Sequence, residues 1–439
     1  MTLISSPSRR LLAAVLLAFA ACLGILAVDH RGQPPVPDAT APAIEGPRRP
    51  GEGTDAQIRR LQADARRAPR STAPRLLLAA AYLQKARATF DAGLYARADG
   101  LLRHVTARDP HNSAAVVQLS TLALARHDFR RGLRLARRAR GLAPGTAAPF
   151  PVLVDALVEL GRYGEAARTL QRMVDLKPNL PAYARVSYLR ELHGDLPGAA
   201  AALRLAAAAG GAVPEDTASI QTLLGNLELS RGRPRPAGRA YASALAAAPG
   251  YAPAEAGRAR LAAHSGDIAS AVRRWRRLAA RLPLPEHVIG LGEAELAAGR
   301  PQAARRDLRL VSAERALLAG AGVNTDVEIA IFEADHGEPR RGVALARRAW
   351  AAAPGVRSAD ALGWAVTRAG HPGAGLRWAR RALRLGSVDA LFQFHAGMSA
   401  TAAGRPREGA RLLRSALAHG LAAHPWQAAR ARRALAGSR

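Results

Sequence analysis

A single cysteine, Cys22, occurs among the 439 residues, so disulfides cannot brace this chain and no cysteine-based zinc site can form. Aromatic residues make up only 4%, which favours closely approaching helices with small residues at their contacts over one bulky core. Lysine is almost missing. Lys85 and Lys177 are the only lysines among 64 basic residues, which face 34 acidic ones for a formal charge of +30. GC-rich coding and selection for an acidic partner both produce such an arginine bias. Local signatures of chemistry are missing too. There is no Gly-x-x-x-x-Gly-Lys-Ser/Thr phosphate loop and no His-Glu-x-x-His pair, and Gly290-Leu291-Gly292 continues into a helical pattern with no strand before it. Glu191, His193 and Asp195 are spread around a helix end, and His264-Ser265-Gly266-Asp267 occupies an interhelix turn. No enzyme activity, metal or cofactor is therefore expected.

One long apolar run is present. Arg9-Arg10 precede an uncharged stretch over 11–28, roughly 27 Å long as a helix and close to the thickness of a bilayer's hydrocarbon core. With residues 1–10 kept in the cytoplasm by the paired arginines, the remainder is sent across the membrane. Three fates are open: an uncleaved signal anchor, a signal peptide cleaved near Ala18-Phe19-Ala20, or a lipoprotein attached through Cys22. Residues 29–53 hold Pro34-Pro35, Pro37, Pro42, Pro47 and Pro50 and read as a disordered spacer. Thr54-Asp55 offers an N-cap for a capping-helix region over 54–78, with Ile58 and Leu61 on one face.

From there the chain is periodic. Pro110, Pro144 and Pro178 fall 34 residues apart, the interval of a helix–turn–helix repeat. Gly93-Leu94-Tyr95 with Ala98 and Gly161-Arg162-Tyr163 with Ala166 precede their prolines at equal offsets. Gly232, Gly266, Gly299, Gly337, Gly370 and Gly404 carry the pattern onward. Two copies are fullest: Leu153, Gly161, Tyr163, Ala166, Leu170 and Pro178, then Leu224, Gly225, Gly232, Ala237, Tyr241, Ala244 and Pro249. Departures occur at an insertion around 210–217, at an extended stretch near 312–323, and at Gly386-Ser387 and His419-Gly420, which replace the closing proline.

These residues resemble the tetratricopeptide repeat over about 79–423, close to ten copies, followed by a C-terminal capping helix over 424–439. The resemblance implies an all-α, right-handed superhelical solenoid preceded by an N-terminal hydrophobic helix. With Arg126-His127-Asp128-Phe129 and Phe394-His395-Ala396-Gly397-Met398, the chain also looks like exported bacterial repeat proteins that carry no assigned activity.

The resemblance further implies that the first helix of each pair lines a concave groove and the second packs outside. On that rule the dense arginine runs are convex: Arg273, Arg274, Arg276 and Arg277, Arg347 and Arg348, Arg380 and Arg381. They are candidates for anionic lipid headgroups or phosphate-containing wall polymers. Nucleic acid is disfavoured because export removes the chain from it. The groove slots hold Asp155, Glu159, Arg185, Tyr188, Glu191, Asn226, Glu293, Glu328, Trp364 and Arg368, with His395 and Gln118 besides. This lining is mixed and acidic in the middle, suited to a protein or peptide partner with basic residues, and Tyr188 and Trp364 would be apolar anchors. Each position is also compatible with an ordinary solvated helix face. Within Tyr183–Asp195, a structural ion-pair network at the turn is the plainer alternative to a binding patch. The expected protein is a membrane-tethered or exported scaffold.

Overall fold

The computed structural model describes residues 53–211 and 213–437, so the apolar run and the spacer up to residue 52 lie outside the described residues. Among the described residues no helix is long and apolar enough to cross a membrane, and no strand occurs.

A lone helix, α1 (Thr54–Arg67), leads into ten helix pairs. The first five are α2 (Ala73–Thr89) with α3 (Gly93–Arg108), α4 (Ser113–Ala125) with α5 (Phe129–Leu142), α6 (Phe150–Glu159) with α7 (Tyr163–Leu176), α8 (Leu180–Leu192) with α9 (Leu196–Ala208), and α10 (Pro214–Ser230) with α11 (Pro234–Ala247). The next three are α12 (Ala252–His264) with α13 (Ile268–Arg281), α14 (Pro285–Ala297) with α15 (Pro301–Leu308), and α17 (Asp326–His336) with α18 (Pro339–Ala352). Between the last two lies an extra helix, α16 (Val311–Gly320). The series closes with α19 (Val356–Arg368) and α20 (Pro372–Ala382), α21 (Ala390–Ala402) and α22 (Pro406–Ala418), a short 3₁₀ turn, and α23 (Pro425–Ala436).

Local chemistry sets these boundaries. Asn112, Asp128, Asn179, Asp195, Asp267 and Asp389 each accept a backbone N–H in the first turn of the helix that follows, which satisfies donors that a helix start otherwise leaves open. Thr54 does not act this way. Gly53 occupies the cap position and no side chain bonds there. Pro110, Pro144 and Pro178 fall two residues beyond α3, α5 and α7, where the helix can no longer continue. The stretch near 312–323 is largely helical rather than extended, because Ala, Leu, Glu and Arg favour α16 even though Leu317 is 69% exposed.

Pairs pack through small residues. Tyr241 is fully buried in a slot between Gly225 and Gly257, where a Cβ at either position would lie 2.5 or 2.3 Å from its ring. Consecutive first helices also touch one another, α2 with α4, α4 with α6, α6 with α8, α10 with α12, and α17 with α19 and then α21, while no comparable contact joins consecutive second helices. The first helices therefore form the inner wall.

The solenoid closes on itself after six pairs. His127 Nδ1 lies 2.6 Å from the carbonyl of Asn324, 197 residues away, and the Asn324 N–H donates back to the Arg126 carbonyl at 3.1 Å. One pair further along, the Val356 N–H donates to the Tyr163 hydroxyl at 2.8 Å across 193 residues. A Cβ at Gly161 would come within 2.4 Å of the Pro354 carbonyl oxygen, one at Gly194 within 2.5 Å of that of Gly386, and one at Gly420 within 3.2 Å of that of Leu229. In each case the turn inside pair n meets the segment after pair n+5. Arg130 strengthens this seam by donating to the carbonyls of Ala351 and Ala352, at the C-terminal end of α18, where a cation complements the helix dipole. Gly386 and Gly420 stand where earlier copies carry proline; both hold positive φ, and a Cβ at Gly420 would press the neighbouring coil at Ser230, 3.1 Å away, whereas one at Gly386 would meet only the His193 carbonyl at 3.5 Å.

Candidate partner-binding site

Two regions of the inner wall gather polar side chains. In the first, Asp155 and Glu159 on α6 stand beside Arg185, Tyr188 and Glu191 on α8. Arg185 donates to both Asp155 oxygens at 2.8 and 2.6 Å and to the carbonyls of Pro151 and Pro181. That pair is internally satisfied and serves the wall itself. The next coil supplies Glu328 on α17, Arg357 on α19 and Asp389 ahead of α21, with Arg357 Nη2 3.1 Å from Glu328 Oε1.

Tyr188 is 37% exposed, and its hydroxyl faces the interior beside Glu159, Glu191 and Arg357, where burial, aided by Glu159, pushes its pKa far up. Burial also raises Glu159, against the pull of Arg357. It lifts Glu191 to about 7, with Asp389 adding to the effect. Burial alone would depress Arg357, but Glu159 and Glu328 outweigh it and hold the guanidinium firmly charged. Glu159, Glu191, Glu328 and Asp389 thus gather around Arg357 on this stretch of the inner wall.

Glu191 gives the first testable consequence. Its folded pKa of about 7 exceeds the ordinary glutamate value, so the folded state holds an extra proton between roughly pH 4.5 and 7 and loses that contribution as pH rises through the window. Thermal melts of Glu191→Gln should match the parent at pH 5 and exceed it at pH 8 by a Tm gain on the order of 2 °C.

The second region is not open. Helix α23 lies inside the coil against α14, α17, α19 and α21, rather than only capping the end of the stack. Gln427 Nε2 donates to Glu293 Oε1 at 2.7 Å, and Arg430 Nη1 donates to Asp335 Oδ1 at 3.0 Å. The Trp426 ring meets His336 at 4.7 Å between centroids, and His336 Nε2 reaches Glu293 at 3.3 Å. Arg430 stacks over Trp426, Trp364 and Phe394 at 4.4, 5.4 and 5.5 Å. Beneath lies a buried pair, His395 Nδ1 and Asp360 Oδ2, at 2.9 Å. Burial would lower His395, but Asp360 overcomes it and raises its pKa.

Trp364 is therefore no open anchor. It is 1% exposed, stacked on His395 and covered by Arg430. Asn226 accepts the Tyr241 hydroxyl at 2.8 Å and supports packing between α10 and α11. Arg368 donates to the Ala334 carbonyl at 3.0 Å. Glu293 is engaged by α23. Within Tyr183–Asp195, Arg190 pairs with Asp195 at 2.5 Å as a structural contact, whereas Tyr188 and Glu191 face the interior. Among the described residues no group of His, Cys, Asp and Glu could hold a metal ion.

The outer arginines divide. Arg276 pairs with Glu295, Arg348 with Asp326 and Arg380 with Glu408 at 2.6–2.9 Å. Arg381 lies over the Trp350 and Trp378 rings, and Arg274 reaches Ser270. Only Arg273, Arg277 and Arg347 of the eight expected anionic contacts are exposed with no such engagement among the described residues.

Helix pairs at a 34-residue interval, a positive-φ turn inside most of them, and first helices turned inward together settle the architecture. The fold is a tetratricopeptide-repeat solenoid. No family model and no curated protein matches the chain. Solved structures similar to it include a thermophilic tetratricopeptide protein from Thermus thermophilus, at 25% identity over 41% of this chain and 95% of that one, TM-score 0.36. PilW, described as a type IV pilus biogenesis factor, is similar at 18% identity over 46% and 92%, TM-score 0.39. Cut9-Hcn1 of the APC/C is similar at 14% over 88% and 97%, TM-score 0.31. Sequence reasoning missed Arg357 and Asp389, which reach the first region from the next coil, and Arg430 with its partner Asp335, because α23 brings Arg430 inside; Asp360, buried against His395, was missed with them. The only available signal was the Trp426-x-x-x-Arg430 spacing, which puts both side chains on one face of a helix.

Proposed function

We propose that the protein is a non-enzymatic scaffold that holds a polypeptide segment against the inner wall of its solenoid. One observation carries this reading: the wall already holds a helix. Helix α23 presents Trp426, Gln427 and Arg430 to Glu293, Asp335, His336 and Trp364, with aromatic and arginine anchors placed as in recognition of a helix by a groove. A partner helix with the same aromatic-to-arginine spacing would compete for this place. Extended concave surfaces are what stacked repeats offer for binding.

The test is reconstitution. A chain ending at Ala423 should bind a synthetic peptide of residues 424–437, and Trp426→Ala or Arg430→Ala in the peptide should weaken binding by about tenfold or more. A shortened chain of unchanged helicity that ignores the peptide would refute the proposal.

The proposal includes tethering. The apolar run over 11–28 would hold the solenoid at a membrane with the repeats on the extracytoplasmic side, or direct its export by signal cleavage or lipidation at Cys22. The alternative reading, binding of anionic lipids or wall polymers, draws on Arg273, Arg277 and Arg347 alone. The rest of that arginine set is engaged within the fold.

A further inference from the structure

We propose that a recess on the outer wall, between the second helices α5 and α7, is a docking site for an acidic segment of a partner protein with an apolar residue between its carboxylates. The reasoning concerns the outer surface and stands apart from the inner-wall reading above.

The recess encloses ≈ 210 Å³ and adjoins a second hollow of ≈ 590 Å³, with Arg140 and Arg172 lining both. Arg168 completes the rim of the first, whose floor is the apolar pair Leu153 and Leu157 of α6. The second is floored by Phe150 and edged by Leu176, which is 50% exposed. On this outer face some arginines are matched by carboxylates, as Arg276, Arg348 and Arg380 are, and others, such as Arg273 and Arg277, are not. Here unmatched arginines gather around a recess. Arg140, Arg168 and Arg172 are exposed and have no carboxylate partner among the described residues. The two acids that line these hollows are already paired: Glu165 takes both prongs of Arg162 at 2.6 Å and lies 3.6 Å from Arg137, while Asp175 accepts from Gln171 at 2.7 Å.

Three converging guanidiniums repel one another until an anion joins them, and each can clasp a carboxylate through two parallel hydrogen bonds. Leu176, exposed at the edge of the second hollow, makes the second demand, since Leu153, Leu157 and Phe150 are already buried in the core. A pure polyanion leaves Leu176 wet, and a planar bilayer surface meets a recess poorly, whereas an apolar peptide side chain covers it. Between Glu165 and Leu176 the α7 backbone advances about 16 Å, enough for roughly five extended residues.

The experiment uses the full chain and three probes: a fluorescent Glu-Glu-Leu-Leu-Glu-Glu peptide, a hexaglutamate peptide, and vesicles of phosphatidylglycerol with phosphatidylcholine. The leucine-centred peptide should bind more tightly than hexaglutamate. Arg140→Glu with Arg172→Glu should weaken it at least ~10-fold, while the equal charge change Arg235→Glu with Arg239→Glu on α11 should leave it within about twofold. Should the first double variant melt early, Arg140→Gln with Arg172→Gln gives the same comparison without charge reversal. Equal loss in both pairs would reduce the effect to net charge and overturn the proposal. So would failure of the leucine-centred peptide to bind, or vesicle binding through Arg140 and Arg172 without any preference for that peptide.

Discussion

Gly161→Ala should destabilise the chain far more than Gly404→Ala, although both residues hold φ at +72° in equivalent turns. The backbone strain is common to the pair and costs about 1–2 kcal/mol for a residue with a Cβ. Only Gly161 faces another coil. Its added methyl would lie 2.4 Å from the Pro354 carbonyl oxygen, whereas the space around Gly404 is open to 4 Å. The difference between the two variants therefore reports the seam alone, and an additional loss of about 2 kcal/mol is expected. Because a repeat array can open in parts, hydrogen exchange is the second readout. The Val356 amide, held by the Tyr163 hydroxyl, should exchange faster in Gly161→Ala and be unchanged in Gly404→Ala. Equal melting shifts with equal exchange would mean that the coils do not bear on one another.

The second large effect concerns Arg430. Its side chain is 13% exposed and the Asp335 carboxylate that it serves is 3% exposed. Arg430→Met leaves that carboxylate buried without its cation, a loss of about 3–5 kcal/mol. Much of this penalty belongs to the stranded charge rather than to the pair. Adding Asp335→Asn should thus recover part of it, making the double variant more stable than Arg430→Met alone. Release of α23 would also change the environment of Trp426, so its fluorescence should report whether the helix leaves the interior. If the double variant is no more stable than the single one, the desolvation argument fails.

The pairs themselves were legible because their signals are local. Turn glycines such as Gly161, Gly232 and Gly404, and prolines after α3, α5 and α7, recur within one period. The pitch of the coil was not. It accumulates from small rotations between neighbouring pairs, and no short stretch of sequence states their sum. A trace of it was nevertheless present in the glycines that replace closing prolines at 386 and 420, positions that meet Gly194 and Ser230 of an earlier coil.

The candidate site divides along the same line. Slot assignment brought Asp155, Glu159, Arg185, Tyr188 and Glu191 to one wall, since those positions follow from the repeat. It could not place Arg357 and Asp389 opposite them, because that juxtaposition depends on six pairs making one turn. Trp364 was misread for a related reason: the slot faces inward as expected, but α23 covers it.

Crosslinking across the seam tests this closure most directly. With Cys22→Ser to remove the native thiol, His127→Cys and Asn324→Cys place thiols on two residues that touch across the seam, the ring of His127 standing 2.6 Å from the backbone carbonyl of Asn324. A closed coil predicts rapid formation of an intramolecular link by a short bis-thiol reagent at dilute protein, with helicity and melting preserved. Two thiols that remain free, or that join only different molecules, would show an open solenoid and contradict the account.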